Sequence, residues 1–428
     1  MTPGATGSVR LGCIADDFTG ATDLANNLVR AGMRVVLRIG LPSADEAAPA
    51  DADAVVVALK SRTAPVAQAV AESRHAAAWL RAQGARQIYF KVCSTFDSTA
   101  EGNIGPVAEA LAADVGAALV PVTPAFPETG RTVFMGHLFV GELLLSDSPM
   151  RQHPLTPMTD ANLVRVLQAQ LRTGRAGLVT RAVLARGAAA VAARFAALQA
   201  DGVNMAIVDA VDNADLHVLA EAAHALPLVV AGSGLAIGLP RWHGCSPSSQ
   251  AATLPAASGT AAVVSGSCSA ASNAQVAHFL AAGGEAFSLD PLRAASGVDL
   301  AAEALAWAES RLGERPVLIY ATAGPDTVRA VQQQLGAHDA GALVETLLAR
   351  VAAGLVARGV GRLVVAGGET SGACVQALDV AQLRVGPQID PGVPWCHATV
   401  NGQGLHLALK SGNFGGPDFF TRAFAEAR

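Results

Sequence analysis

Residues 12–23 read GCIADDFTGATD, an apolar run that stops on two adjacent carboxylates, Asp16 and Asp17, and then turns at Gly20 into a helical stretch. A buried strand, a polar exit and a helix make half of a βαβ unit, and the same rhythm continues along the chain. Strands are predicted at 10–15, 35–39, 54–58, 87–92, 118–122, 205–209 and 228–231, with helices such as 65–83, 162–172, 188–199 and 214–224 between them. At 245–260 the sequence becomes CSPSSQAATLPAASGT, which has no apolar period and reads as a connection. The rhythm then restarts with strands at 261–265, 286–289, 316–321 and 362–366, helices at 271–282, 301–311 and 340–359, and short strands near 395–399 and 406–410. The expected fold is therefore α/β with two domains, 1–244 and 261–428, each a mostly parallel sheet flanked by helices. The active site is expected in the cleft between them.

Length agrees, because 428 residues exceed the roughly 250–300 at which single cores stop growing. A net charge of −5 offers no field for a nucleic-acid backbone, so no nucleic-acid partner is expected. The six cysteines form no CxxC pair, as suits reduced thiols in the cytoplasm, and no metal site of protein ligands is expected. The first ten residues do not read as a signal peptide, and the apolar run 226–240 is too short to span a bilayer and is broken by Gly232, Ser233 and Gly234. No membrane partner is expected, and a homo-oligomer is compatible with the sequence.

In open α/β sheets ligands bind at the carboxyl ends of strands, which is where Asp16 and Asp17 stand. Neighbouring strand residues face opposite ways, so one of the two should meet a ligand while the other caps the helix, unless both merely cap it. A second exit, FKVCSTFDSTAEGNIG (90–105), supplies Lys91 for an acid group and Ser94, Thr95, Asp97 and Ser98 for hydroxyls. Arg62 follows the 54–58 strand in the same topological position and suits a carboxylate. The 122–157 region breaks the rhythm and should be an ordered excursion near the substrate.

Three exits in the second domain are rich in Gly and Ser: VVSGSCSAASNAQ (263–275), VVAGGETSGA (364–373) and LKSGNFGG (409–416). Glycines let backbone approach phosphate oxygens, and amides at a helix start donate to them. No GxxxxGK[ST] loop occurs, so this cradle is not a Walker A motif. The segment GSGLAIG (232–238) follows a strand as a dinucleotide fingerprint does, but no acidic residue stands about 20 positions on to hold a ribose. It reads as a turn closing the first domain.

Taken together, these segments resemble the four-carbon acid sugar kinase family, from IADDFTGATDLA (14–25) to LKSGNFGG (409–416). Within it CSTFDSTAEGNIGP (93–106), PAFPETGRTVFMGHLFVGE (124–142) and MRQHPLTPMTDANLVRVL (150–167) are similar to the 3-oxo-tetronate kinases. The resemblance implies an N-terminal sugar-acid domain and a C-terminal nucleotide domain that use ATP and Mg²⁺ to phosphorylate 3-oxo-tetronate. D-threonate, D-erythronate or a non-catalytic sensing role are the alternatives. ATP would meet Ser265, Ser267, Gly367, Gly368, Glu369, Thr370, Gly412 and Asn413. The acid would meet Asp16, Asp17, Arg62, Lys91, Ser94, Asp97 and Ser98, with Asp17 or else Asp16 as the base.

Overall fold

The computed structural model describes residues 9–43, 45–153 and 156–425. The leader reading falls outside the described residues apart from 9 and 10, as do Pro154 and Leu155 of the 122–157 excursion. The chain divides into two compact units, Met1–Ala252 and Thr253–Arg428.

The strands of the first unit are β1 (Leu11–Ala15), β2 (Val35–Ile39), β3 (Ala54–Ala58), β4 (Gln87–Lys91), β5 (Val120–Thr123), β6 (Arg131–Phe134), β7 (His137–Val140), β8 (Leu143–Leu144), β9 (Ala176–Val179), β10 (Met205–Val208) and β11 (Leu228–Ala231). Eight of them follow the order β2-β3-β1-β4-β11-β5-β10-β9, and every neighbouring pair is parallel. β1, β3 and β4 are buried along their whole length, which explains the apolar runs of β1 and β3 and the apolar centre of β4 between Gln87 and Lys91. Parallel pairing also delivers the residues after β3, β1, β4, β11 and β5 to one edge of the sheet. β6, β7 and β8 make a small antiparallel sheet, so the 122–157 excursion has secondary structure of its own.

The GSGLAIG segment packs as a 3-10 turn, Ser233–Ile237. A side chain at Gly232 would lie 2.6 Å from the Pro124 carbonyl oxygen, and one at Gly234 would meet that of Ala125. Its glycines therefore serve close backbone packing.

The 3-10 turn Pro240–His243 closes over Gln87, with the His243 Nε2 3.2 Å from the Gln87 Oε1. Burial, reinforced by Arg10, holds the His243 imidazole down at about 4. An unfolded imidazole takes up its proton near pH ~6.5, so the unfolded chain binds more protons between about 6.5 and 4 and stability falls as pH drops through that window. Denaturant melts at pH 7, 5.5 and 4 should show this loss, and His243→Gln should lessen it. Equal pH dependence in both proteins would remove His243 as its source.

The second unit contains β12 (Thr260–Ser265), β13 (Ala286–Ser288), β14 (Val317–Tyr320), β15 (Val360–Ala366), β16 (Gln382–Asp390), β17 (Val393–Val400) and β18 (Gln403–Lys410), in the order β13-β14-β12-β15-β18-β17-β16. The pairs from β13 to β18 are parallel, whereas β16, β17 and β18 form an antiparallel meander. β16 escaped the sequence reading because Gly386 and Pro387 interrupt it. They lie where its register against β17 shifts, between Val385 and Gln388, and a bulge is where a strand tolerates proline.

The membrane reading needs one correction, since the segment Asp339–Ala357 is long and apolar enough to cross a bilayer. Within the second unit Leu348, Val351, Ala352 and Leu355 of this helix are buried, and it packs against the helix Gly368–Ala377. Burial of that face accounts for part of its apolar length.

Candidate active site

In the first unit the exits of β1, β3 and β4 assemble an ionic cluster. Arg62 grips Asp16 with two hydrogen bonds, Nε to Oδ2 at 3.0 Å and Nη2 to Oδ1 at 2.8 Å, and its Nη2 also donates to the Asp17 Oδ1 at 2.6 Å. Arg62, expected to clamp the substrate, thus has its guanidinium engaged with the two aspartates.

Asp17 caps the helix Phe18–Arg30, its Oδ1 accepting from the Gly20 amide at 3.2 Å and its Oδ2 from the Thr19 hydroxyl at 2.8 Å. Burial opposes ionisation of Asp17, but Arg62, Lys91 and those hydrogen bonds together hold its carboxyl below the ordinary range. Asp16 is more deeply placed, and burial pushes its carboxyl up despite Arg62. Asp17 is thus the more readily ionised and more accessible carboxylate of the pair. Lys91 is buried at the end of β4, with Nζ donating to the Val92 carbonyl at 2.8 Å.

The loop after β4 separates into two groups. Ser94 is partly exposed. Asp97 is buried and accepts from the Thr95 hydroxyl at 2.5 Å and the Cys93 thiol at 3.0 Å. Ser98 is buried and accepts from the Gln170 Nε2 at 2.8 Å. Asp97 and Ser98, expected to meet the substrate, thus both make hydrogen bonds within the protein. Phe96 at φ 54° bends the loop sharply, a left-handed conformation uncommon for an aromatic residue.

Asn103 stands at the N-cap of the helix Ile104–Val115. Its side chain makes no cap bond; its Nδ2 instead donates to the carbonyls of Ser61, Arg62 and Ala64 at 2.7, 3.2 and 2.8 Å. One amide therefore straps down the loop that carries Arg62. Asn103→Ala should cost about 1–3 kcal/mol by stranding those carbonyls, and should raise the KM for the acid through a displaced Arg62. Unchanged melting and KM would disprove the strap.

In the second unit β12, β15 and β18 are adjacent and parallel, so the three Gly/Ser-rich exits converge. The Gly367 amide donates to the Lys410 carbonyl at 2.8 Å, and the Gly266 and Ser267 amides donate to the Ala366 carbonyl at 3.0 and 3.2 Å. A side chain at Gly412 would lie 2.6 Å from the Ser267 Oγ. Gly367, at φ 127°, lets the chain turn into the helix Gly368–Ala377, whose first amides lack helical acceptors. Lys410 is fully buried, donating to the Ser272 hydroxyl at 3.2 Å and to the carbonyls of Ser411 and Gly412 at 3.0 Å each. Burial lowers its ammonium to about 8.

A cavity of about 630 Å³ opens beside these exits, lined on one side by Gly266, Ser267 and residues 367–370, and on the other by apolar groups such as Leu289, Val328, Val331 and Val344. That size and this division of apolar wall and backbone donors suit a nucleotide. Ser267, Gly367, Gly368, Glu369 and Thr370 therefore line the cavity as read from sequence. Ser265 does not: it is fully buried and its hydroxyl lies 2.6 Å from that of Thr322. Gly412 and Asn413 also lie off the wall, Gly412 buttressing Ser267. Thr322 and Asp290 line the cavity and had no signal, since each follows a strand without a glycine-rich exit.

Among the described residues no group of three His, Cys, Asp or Glu side chains could hold a metal ion. An ion carried by nucleotide phosphates would find Asp290, Glu345 and Glu369 as carboxylates in the wall.

Residues 11–239 match the family of sugar-binding N-terminal domains, and residues 262–420 match that of nucleotide-binding C-terminal domains. The chain is 59% identical over 417 residues to the 3-oxo-tetronate kinase of Burkholderia multivorans, covering 96% of each. It is 59% identical over 421 residues to that of Cupriavidus necator, covering 97% of this chain and 96% of the relative. A solved Salmonella typhimurium LT2 protein described as a tRNA synthase superposes with a TM-score of 0.90 at 43% identity, covering 97% of this chain and 99% of that one.

Proposed function

This chain belongs to the four-carbon acid sugar kinase family, and we infer that it transfers the γ-phosphoryl group of ATP to 3-oxo-tetronate, giving 3-oxo-tetronate 4-phosphate. The observation that carries this reading is the 59% identity, over nearly the whole chain, to 3-oxo-tetronate kinases. A tRNA ligase would want a positive field for its nucleic acid, and the net charge of −5 supplies none.

Phosphoryl transfer asks mainly for alignment and charge stabilisation. Magnesium bound with ATP would neutralise phosphate charge. Ser267, Gly367, Gly368, Glu369 and Thr370 would cradle the phosphates, and the apolar wall would take the base. Asp17 would orient the C4 hydroxyl and receive its proton. Arg62 would fix Asp16 and Asp17, and Lys91 would bind the acid, with Ser94 at its side. The free thiols suit a cytoplasmic enzyme.

An ADP-release assay with 3-oxo-tetronate, D-threonate and D-erythronate tests the reading, with phosphate position on the product read by NMR. Turnover should be greatest with 3-oxo-tetronate and the phosphate should sit on C4. A preference for either alternative acid would replace the substrate, and ADP release with none would sink the kinase.

A further inference from the structure

The proposed reaction leaves several buried polar groups unused, and they converge beside the helix Phe18–Arg30. Asp17, Gly20, Asp23 and Asn27 recur three, three and four residues apart, so they share one face. A side chain at Gly20 would come within 2.7 Å of the Lys91 Nζ. The ammonium therefore rests over Gly20, flanked by Asp17 and Asp23. It donates to the Val92 carbonyl at 2.8 Å, and an ammonium carries three N–H groups.

Asn27 donates to the Ser233 carbonyl at 2.9 Å and so holds the Ser233–Ile237 turn against the same helix. Asp23 pairs with the Ser233 side chain and lies within electrostatic reach of Lys91 and Arg131. The Arg131 Nε is buried beside them without a hydrogen-bond partner. Ser233 is fully buried. A buried donor is costly to leave unpaired, so the Arg131 Nε, beside the Asp23–Ser233 pair and the Lys91 ammonium, is poised for a ligand that accepts from it.

Topology explains the convergence. Asp23 lies on the helix after β1, Lys91 ends β4, Ser233 follows β11 and Arg131 begins the strand after β5. β1, β4, β11 and β5 are consecutive parallel neighbours, so all four exits reach one edge.

We propose that Asp23, Ser233 and Arg131 complete, with Lys91, a subsite for the hydroxy-acid end of the substrate. Lys91 and Arg131 take the C1 carboxylate, while Asp23 and Ser233 take the C2 hydroxyl. Asp17, on the other flank of Lys91, is then left to the C4 hydroxyl. This assignment rests on the four-carbon acid kinase reading and adds to it how the acid is told from its analogues.

Calorimetric titration without ATP tests it, comparing wild type with Asp23→Asn, Ser233→Ala and Arg131→Gln. The probes are 3-oxo-tetronate and 4-hydroxy-3-oxobutanoate, which lacks the C2 hydroxyl. Wild type should prefer 3-oxo-tetronate, and Asp23→Asn should weaken its binding by about 10–100-fold while erasing that preference. Arg131→Gln should weaken both probes alike, and ATP affinity should stay as in wild type throughout. Should Asp23→Asn fail to fold, Ser233→Ala removes one atom and should reduce the preference by about 3–10-fold. A wild type that turns over 3-oxo-tetronate beside variants that bind it unaltered would overturn the subsite and leave the kinase standing. A wild type that neither binds nor phosphorylates a four-carbon acid would overturn both.

Discussion

Asp17→Asn should lower kcat by about 10²–10⁴, the range for loss of a general base, while the KM for ATP stays unchanged. Asparagine keeps the shape of the side chain and caps helices about as well as aspartate, so the helix Phe18–Arg30 should persist. What disappears is the negative charge beside Arg62 and Lys91, and with it the acceptor for the hydroxyl proton. Because Asp17 is held below the ordinary carboxyl range, it stays ionised across the neutral region. Wild-type kcat should therefore show no loss from this group until the pH falls below about 4. Steady-state kinetics with saturating ATP separates the outcomes. A near wild-type kcat in Asp17→Asn would return Asp17 to a capping role and leave Asp16 as the remaining carboxylate.

Gly367→Ala should raise the Kd for ATP at least about tenfold and destabilise the protein by about 1–3 kcal/mol, the range for a residue held in a sparsely populated backbone region. Two effects act together. At φ 127° the backbone is one that side chains rarely adopt, and a methyl there would stand 2.7 Å from the Thr370 Oγ1 and 3.3 Å from the Ser267 amide nitrogen. The turn cannot yield easily, because the Gly367 amide is tied to Lys410 and its carbonyl accepts from the Ser371 amide at 2.8 Å. Calorimetry of ATP binding alongside thermal melting reads both effects, and the KM for the acid should barely move. Wild-type ATP affinity would take this turn out of the phosphate cradle.

The parallel sheets were legible because each buried strand is a short apolar run that halts on a charge or a glycine. Asp16, Asp17, Lys91, Gly367 and Gly368 were found for that reason: they stand where such runs stop. Partnerships across the sheet were not legible. Nothing in the chain ties Arg62 to residues 45 and 46 positions earlier, or Gln170 to Ser98. Register and loop geometry decide both, and so turn expected ligand contacts into internal bonds. Ser265 shows the same limit at shorter range, since a strand residue can face the sheet neighbour as readily as the cavity. Asp23 and Ser233 lacked any signal of their own, and Arg131 was placed near the substrate only through the 122–157 excursion that carries it. Ser233 sits inside a segment whose glycines suggested a dinucleotide loop, and Arg131 belongs to an excursion whose fold the α/β rhythm does not cover.

The bare flank at Gly20 carries a warning for anyone wishing to make this protein more heat-resistant. Replacing a helical glycine by alanine is a standard stabilising choice, worth about 0.4–1 kcal/mol where the backbone permits. Here the added methyl would meet the Asp17 carboxylate and stand 2.7 Å from the Lys91 Nζ. Displacing the Asp17 carboxylate would also loosen the cap of this helix, so the usual gain should turn into a loss of melting temperature and turnover together. The gap in the helix is thus a place where a routine stabilising substitution should fail on both counts.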